Sequence, residues 1–506
     1  MAYVKQGSDV IQGRQTYNGA NGVALTNNGE VRAISLKGGL ISIDRLNSIG
    51  EWENLSTLSG VPLSEESHLT FSGDGSTLVA AMPDSNVYVY DKEGDTWNYK
   101  LTSSDFGVPF GVRYVHDASI SDNGNILAIG GTTERGGSSD NKGVATIFTR
   151  NPGESNWTQL GSNISDGTES GIINGAASPD NWRPGYSVSL SADGKVLAVG
   201  SDGGNQAAVF ELNIDESGIK SWERRGSTFT GNDGNFLGQG VALSSDGGIL
   251  ALGNPNGGDG GTASTYKWDS DSQKYQSIGI IDPPGRGDDR AGNYVRLSLD
   301  GTRIAIAATG NDEGVNNAGR IFVYDYDGNG WILNDDFGYE EGDSPGWSIF
   351  FGSDLEMSGD GSTIISGGPH YGINTSPTLY SGIWRSWVSD TPDLPIPEIY
   401  DIDGYNLDGF DRDGFGRDGF NIEGLDIDGY DRDGLNSDGY DRDGFNSDGF
   451  NSDGYNASGF NASGFNSSGY NVDGYDVDGY DVDGYDVDGY NAGGFNASGF
   501  NSSGYD

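Results

Sequence analysis

One phrase recurs through the first 390 residues and limits the fold more than any other feature. A short strand runs into a small polar residue, a turn ending in glycine, and a second apolar strand. It reads GVALTNNGEVRAISL first, then LTFSGDGSTLVAAM, ASISDNGNILAIGG, SVSLSADGKVLAVGS, VALSSDGGILALGN, VRLSLDGTRIAIAA and LEMSGDGSTIISGG. The turn glycines are Gly29, Gly75, Gly124, Gly194, Gly247, Gly301 and Gly361, at intervals from the mid-forties to about seventy residues. Seven supersecondary units in tandem form a repeat architecture in which each unit buries its apolar face against the next.

After each phrase comes a Gly-rich gap, then an alternating strand such as NVYVYD, VATIFTR, AAVFEL or RIFVYD, a turn, and usually a tryptophan: Trp97, Trp157, Trp222, Trp331. Alternation with period two marks half-buried antiparallel strands, and the NG and DG pairs supply the positive φ of tight hairpins. Four short strands repeated seven times predict an all-β chain whose residues 1–390 form a seven-bladed β-propeller. The first residues, YVKQGSDVIQG, look like the closing strand WTQLGSNISDG of another copy, while the seventh copy ends soon after its third strand at LYSGIW. The N-terminal strand is therefore expected to complete the last blade, which removes an exposed edge.

The stretch from Asn235 through Phe236, Leu237, Gly238, Gln239 and Gly240 to Gly247, with alternating strands and tryptophans downstream, resembles FG-GAP-type repeats, which form propellers such as the head of integrin alpha chains. That resemblance covers most of residues 1–390 and implies the same propeller fold.

Prolines 392, 395 and 397 in TPDLPIPEI mark residues 391–399 as an extended linker. From 400 to 506 a five-residue phrase takes over: aromatic, Asn or Asp, a variable residue, Asp or Ser, and Gly. Aromatics occupy every fifth position from Tyr400 to Tyr505 except Leu425 and Leu435. A disordered acidic tail has few aromatics and no reason to keep them in register. Period five matches neither a helix face nor a simple strand. The phrase resembles pentapeptide-repeat proteins, which wind such units into a four-sided β-helix; about twenty-one phrases then give roughly five coils, on the order of 25 Å at a spacing of about 4.8 Å. In that family a small residue also points inward where this tail has Asp403, Asp408 and Asp413. Buried carboxylates are costly unless neutralised, so either the coil differs or the acids line a cation track.

Two acid groups are candidate calcium sites. In the tail, Asp476, Asp478, Asp481 and Asp483 place hard oxygens at i, i+2 and i+5, although glycine at the fourth position departs from an EF-hand loop. In the propeller, Asp325, Asp327 and Asn329 with Asp336 match the outline of a calcium loop. The competing readings are a solvated acidic surface for the tail and an ordinary hairpin turn for the loop. His68, His116 and His370 fall in different copies with no serine or metal-ligand partner nearby in sequence. Arg286-Gly287-Asp288 spells an integrin-recognition tripeptide in a loop. Trp182, Trp347, Trp384 and Trp387 lie outside the usual tryptophan place and are candidates for a glycan-binding face or for packing. Sequons occur at Asn54, Asn156, Asn163 and Asn374 and in the tail at Asn456, Asn461, Asn466, Asn496 and Asn501.

The formal net charge of −47 opposes nucleic-acid binding and anionic membranes, because phosphate contacts need clustered Lys and Arg. There is no cysteine, which excludes disulfides and thiolate chemistry. No apolar run suggests a secretory leader or membrane insertion. The expected function is non-enzymatic: a propeller as a binding head for a surface glycan or protein receptor, and a repeat tail that self-associates or joins other fibre subunits. A virion or extracellular appendage is the expected setting. The alternatives are a secreted adhesin or matrix protein, and an enzyme acting on polysaccharide through a carboxylate pair in the central channel.

Overall fold

A computed structural model describes residues 3–389 and 419–505, less the stretches 8–9, 12–14, 17–21, 37–38, 61–66, 83–85, 103–113, 133–142, 163, 166–183, 202–204, 216, 233, 313–317, 339–351, 372–378 and 422–424. The chain divides into two compact units, Met1–Asp403 and Gly404–Asp506. The Pro-rich linker at 391–399 and the first tail phrases lie outside the described residues.

In the first unit the strands form seven antiparallel sheets, each built around one copy of the recurring phrase, so the unit is a seven-bladed propeller. Blades 1 to 7 begin their innermost strands at Val23, His68, Tyr114, Pro184, Val241, Ala291 and Asp354. Blade 7 is closed by the N-terminus: Tyr3–Lys5 pairs antiparallel with Leu379–Ser389, placing Tyr3 opposite Ser389 and Lys5 opposite Trp387. The expected closure is observed. The buried Tyr3 ring packs on Phe337 and Trp387, and its hydroxyl donates to the Gly361 carbonyl.

Each recurring turn has one internal hydrogen-bond scheme, which explains why the sequence writes Ser-x-Asp-Gly. The hydroxyl of the first residue accepts an N–H five residues on and donates to the side chain two residues on. In blade 5, Ser244 accepts from Ile249 at 2.8 Å and donates to Asp246 at 2.6 Å. Thr26, Ser72, Ser121, Ser191, Ser298 and Ser358 repeat it. The turn glycine has φ between 65° and 72°, a conformation that strains any residue with a Cβ.

These turns also join the blades. The backbone N–H of Asn27 donates to Gly73, Asp74 to Asp122, Asp122 to Ala192, Ala192 to Ser245, Ser245 to Leu299, Leu299 to Gly359, and Gly359 back to Asn27. The circle is complete, from blade 1 through blade 7 to blade 1. Between blades, alternate apolar residues interlock; one such layer holds Leu78, Ala80 and Met82 against Ala33, Ile41 and Ile43. Full burial of a Leu or Ile side chain stabilises by about 1.5–3 kcal/mol.

Among the described residues of the second unit no long strand forms. Each phrase is one tight turn: the Gly439 N–H donates to Asn436 O, and the Asn436 N–H donates to Tyr440 O, with the same pair repeated through Gly504 and Asn501. The Asn or Asp side chain accepts two further N–H groups, as Asn461 Oδ1 does from Ser463 and Phe465. Isolated antiparallel bridges link an aromatic to the residue six positions on, for example Tyr455 to Asn461. Side chains 12 to 16 residues apart meet, Arg442 with Tyr430, Asp428 and Asp426. These local antiparallel bridges differ from the four-sided β-helix that the pentapeptide resemblance implied. Its inward small residue has no counterpart here, since the Asp or Ser before each glycine is exposed and the aromatics are at most half-buried.

Candidate functional site

The innermost strands alternate with period two, so every second side chain points away from the preceding blade and toward the next. Counting back two residues from each turn hydroxyl gives Ala24, Thr70, Ser119, Ser189, Ala242, Arg296 and Glu356. Counting back four gives Gly22, His68, Asp117, Ser187, Gly240, Tyr294 and Asp354. The intervening residues, such as Val23, Leu69, Val295 and Leu355, are buried between sheets. Two sets of side chains thus reach from each inner strand toward the next blade, and the charged ones converge.

Arg296 is the centre of this cluster. Its guanidinium contacts Glu356 Oε1 at 2.9 Å, with side-chain exposures of 26% and 17%. Asp354 and Asp117 are close enough to act on Arg296, which stays charged. Asp117 Oδ2 accepts the Val188 N–H of blade 4 at 2.9 Å, and its other oxygen takes the Ala118 N–H. Asp354 does the same from blade 7 to blade 1, accepting from Val23 at 2.9 Å and Leu355 at 3.0 Å. Ser119 accepts from Leu190, and Ser189 from Leu243. These polar side chains are therefore blade-to-blade connectors.

Burial dominates the proton affinities here. It pushes the Asp117 carboxyl up to about 6 against the opposing pull of Arg296, and raises Asp354 further. His68, whose ring lies 6.5 Å from that of Tyr294, is pushed down to about 4 by burial and then by Arg296. At the turn-side mouth, Asp122 accepts from Asn27 Nδ2 at 2.8 Å. Burial, with Asp74 nearby, raises its carboxyl to about 7. Apart from His68, these groups were not singled out from the sequence. Alignment of the seven copies on their turn hydroxyls reveals them, because it sets charge in columns that the other copies fill mostly with small residues.

The acids expected to hold calcium in the propeller have other partners. Asp325 is gripped by Arg303, at 2.6 Å and 3.0 Å, and receives Asn334. Asp336 pairs with Arg320 and sits opposite Phe322 in the sheet, away from the turn. Asp327 accepts the Asn329 and Gly330 N–H groups, which hold its carboxyl below the usual range, and both Asp327 and Asn329 are exposed. Without a bound ion, the four residues form two ion pairs and a hairpin turn. In the tail, Asp476 and Asp481 each use Oδ1 to cap their own turn, while Asp478 and Asp483 are exposed. Among the described residues no three His, Asp or Glu side chains gather as a metal-holding group.

Trp384 and Trp387 are buried at 1% and 3%, so packing, and not an exposed glycan face, is their role; Trp182 and Trp347 lie outside the described residues. Trp222 and Trp331 pack at blade junctions, where their indole N–H groups donate to Leu160 O and Thr265 Oγ1 of the preceding blade. Arg286, Gly287 and Asp288 form an exposed turn. Of the histidines, His116 stacks near Tyr186 at 4.9 Å, and the His370 side chain is outside the description. Among the described residues no helix is long and apolar enough to cross a membrane.

No protein-family model matches the sequence, and no curated protein does. In structure, the chain is similar to the Cps50 (Swd1) beta-propeller domain of Myceliophteria thermophila, at a TM-score of 0.48 and 15% identity, covering 76% of this chain and 100% of that one. The propeller assignment rests on the strand order and ring closure described above.

Proposed function

We propose that this chain is a non-enzymatic structural and recognition protein, with the propeller as a binding head and the repeat tail as a stalk or assembly element of a virion or extracellular fibre. The observation that carries the proposal is the tail's self-sufficiency. Each phrase is closed by hydrogen bonds within itself and to the next phrase, and its variable side chain faces outward, with Val472, Val477, Val482 and Val487 between 77% and 81% exposed. A chain of such units lengthens by adding phrases, each in contact with its near neighbours, as in other quasi-one-dimensional repeats. Kinship of the blades to FG-GAP repeats belongs to the same proposal, carried by the Asn235–Gly247 stretch.

The test is immunogold labelling of the native source with antibody to the propeller, combined with sedimentation of the full chain with and without a calcium chelator. Label on particles or filaments together with self-association supports the fibre role; a slowing of sedimentation by chelator assigns the tail acids to calcium. Label confined to cell surfaces shifts the reading to an adhesin or matrix protein. A monomer that labels nothing outside cells overturns it.

The inner-strand cluster favours one second reading. Asp117, Asp354 and Glu356 around Arg296 are the acid grouping a polysaccharide-cleaving enzyme needs. Both oxygens of Asp117 and Asp354 are occupied by backbone N–H groups, so the expected outcome is no release of reducing ends from a polysaccharide panel by the full chain. Release abolished by Glu356→Gln would establish the enzyme instead.

A further inference from the structure

Where blades 5 and 6 meet, Phe236, Gln239, Pro255, Asn256, Arg290 and Asn293 line a cleft of about 190 Å³. Two of its walls have an uncommon backbone. Phe236 has φ 59° and Arg290 φ 58°, a region that costs a side-chain-bearing residue roughly 1–2 kcal/mol. Each stands two positions before a left-handed glycine at the entry to an inner strand, Gly238 and Gly292. The same loop geometry therefore delivers an aromatic from one blade and a guanidinium from the next to one hollow. Glycine would fit both positions without strain, and strain retained in a surface hollow points to use.

The side chains are open for contact. Phe236 is 36% exposed whereas its neighbour Leu237 is 4% exposed. Arg290 is exposed and has no ion-pair or hydrogen-bond partner for its guanidinium among the described residues. By contrast, Arg32, Arg150, Arg225, Arg296, Arg303 and Arg320 all hold carboxylates in this chain of 75 acidic and 28 basic residues. Gln239 also has a free amide, and Asn256 and Asn293 each donate one hydrogen bond, to Gly234 O and Thr309 Oγ1. The cleft is smaller than the roughly 300–1,000 Å³ sites that take drug-sized ligands, and so fits one ring or side chain.

We infer that this cleft binds a single acidic sugar residue of a glycan, with the ring against Phe236, the carboxylate on Arg290 and the hydroxyls on the amides. The inference rests on the recognition-head proposal and specifies its ligand. An aromatic face suits the apolar side of a sugar ring, a planar guanidinium suits a carboxylate in two-point contact, and amides serve hydroxyls as both donor and acceptor. A ligand with one negative charge meets less repulsion from a −47 protein than an acidic peptide does.

The experiment titrates the full chain with sialyllactose and with lactose, and repeats it for Arg290→Ala, Phe236→Gly and Arg290→Gly. Sialyllactose is expected to bind at least about tenfold more tightly than lactose, and Arg290→Ala to erase that preference. The glycine variants should lose binding while melting at the same or a higher temperature, since left-handed glycine is unstrained. No sialyllactose binding at millimolar concentration overturns the inference. Binding untouched by Phe236→Gly and Arg290→Gly also overturns it, while leaving the propeller a recognition head with its site elsewhere. Stronger competition by an Asp-containing peptide than by the saccharide reassigns the cleft to peptide and rejects the sugar.

Discussion

The propeller and the tail are built from the same local device, an Asx/Ser turn closed on a left-handed glycine, yet the glycines meet different surroundings. In the tail they have φ of 80–89°, and a Cβ added at any of them meets nothing within 4 Å. In the propeller the corresponding glycines touch the previous blade: Gly75 faces Thr26, Gly124 faces Thr77, Gly194 faces Ile126, Gly247 faces Val196, Gly301 faces Ile249, Gly361 faces Arg303, and Gly29 faces Thr363 of blade 7. One turn chemistry thus serves two designs. In the ring it sets both the chain's direction and the fit of neighbouring blades; in the tail it sets direction alone.

The largest effect that tests this difference is expected at Gly253, where an added Cβ would lie 1.8 Å from the Gly292 carbonyl oxygen. Gly253→Ala forces blades 5 and 6 apart and should destabilise by about 3 kcal/mol or more in a denaturant melt of the propeller. A melt unchanged within error would break the claim that close backbone approach joins the blades. Next comes the turn hydroxyl: Ser244→Ala strands the Ile249 N–H and should cost about 1–3 kcal/mol, whereas Asn461→Ala in the tail leaves solvent-facing groups and should not move the propeller transition. Gly484→Ala strains backbone only, so its effect of roughly 1–2 kcal/mol should be confined to local hydrogen-exchange protection in the tail.

Acidity gives the last test and touches only the ring. The folded Asp122 carboxyl is raised from 3.8 to about 7, so between those values the folded chain holds a proton that the unfolded chain has released. Stability therefore falls as pH rises through this window and is level above it. Asp117 adds the same slope up to about 6. His68 acts oppositely: lowered from 6.5 to about 4, it subtracts stability as pH falls through that range. Melting temperatures from pH 5 to 8 should decline overall, more shallowly in Asp122→Asn and more steeply in His68→Gln. Identical profiles for the three proteins would remove these groups from the ring's pH dependence.

Much of the ring was legible because its signals are local. Gly29 to Gly361 require positive φ, Ser or Thr before them closes the turn, and period two separates Leu69 from Thr70 and Val295 from Arg296. Even closure by Tyr3–Lys5 could be read, since an incomplete seventh copy and an orphan strand at the start are complementary. The inner-strand cluster was not legible from a single copy. Asp117, Arg296 and Glu356 lie in blades 3, 6 and 7, and only the ring's curvature brings them together. The partners of the acids in the 325–336 loop were not legible for the converse reason. Asp325 and Asp336 are near in sequence, but the β ladder turns each toward an arginine.

By itself the sequence determined seven repeated blades, the residue types each turn must carry, and a tail whose aromatics keep strict register, because backbone conformation and strand alternation are short-range constraints. Only the tertiary structure decided what the side chains face: which carboxylates pair with arginine, which tryptophans are buried, and that Phe236 and Arg290 share one cleft between blades. Those outcomes depend on distances between residues far apart in the chain, and no local rule of turn or period contains them.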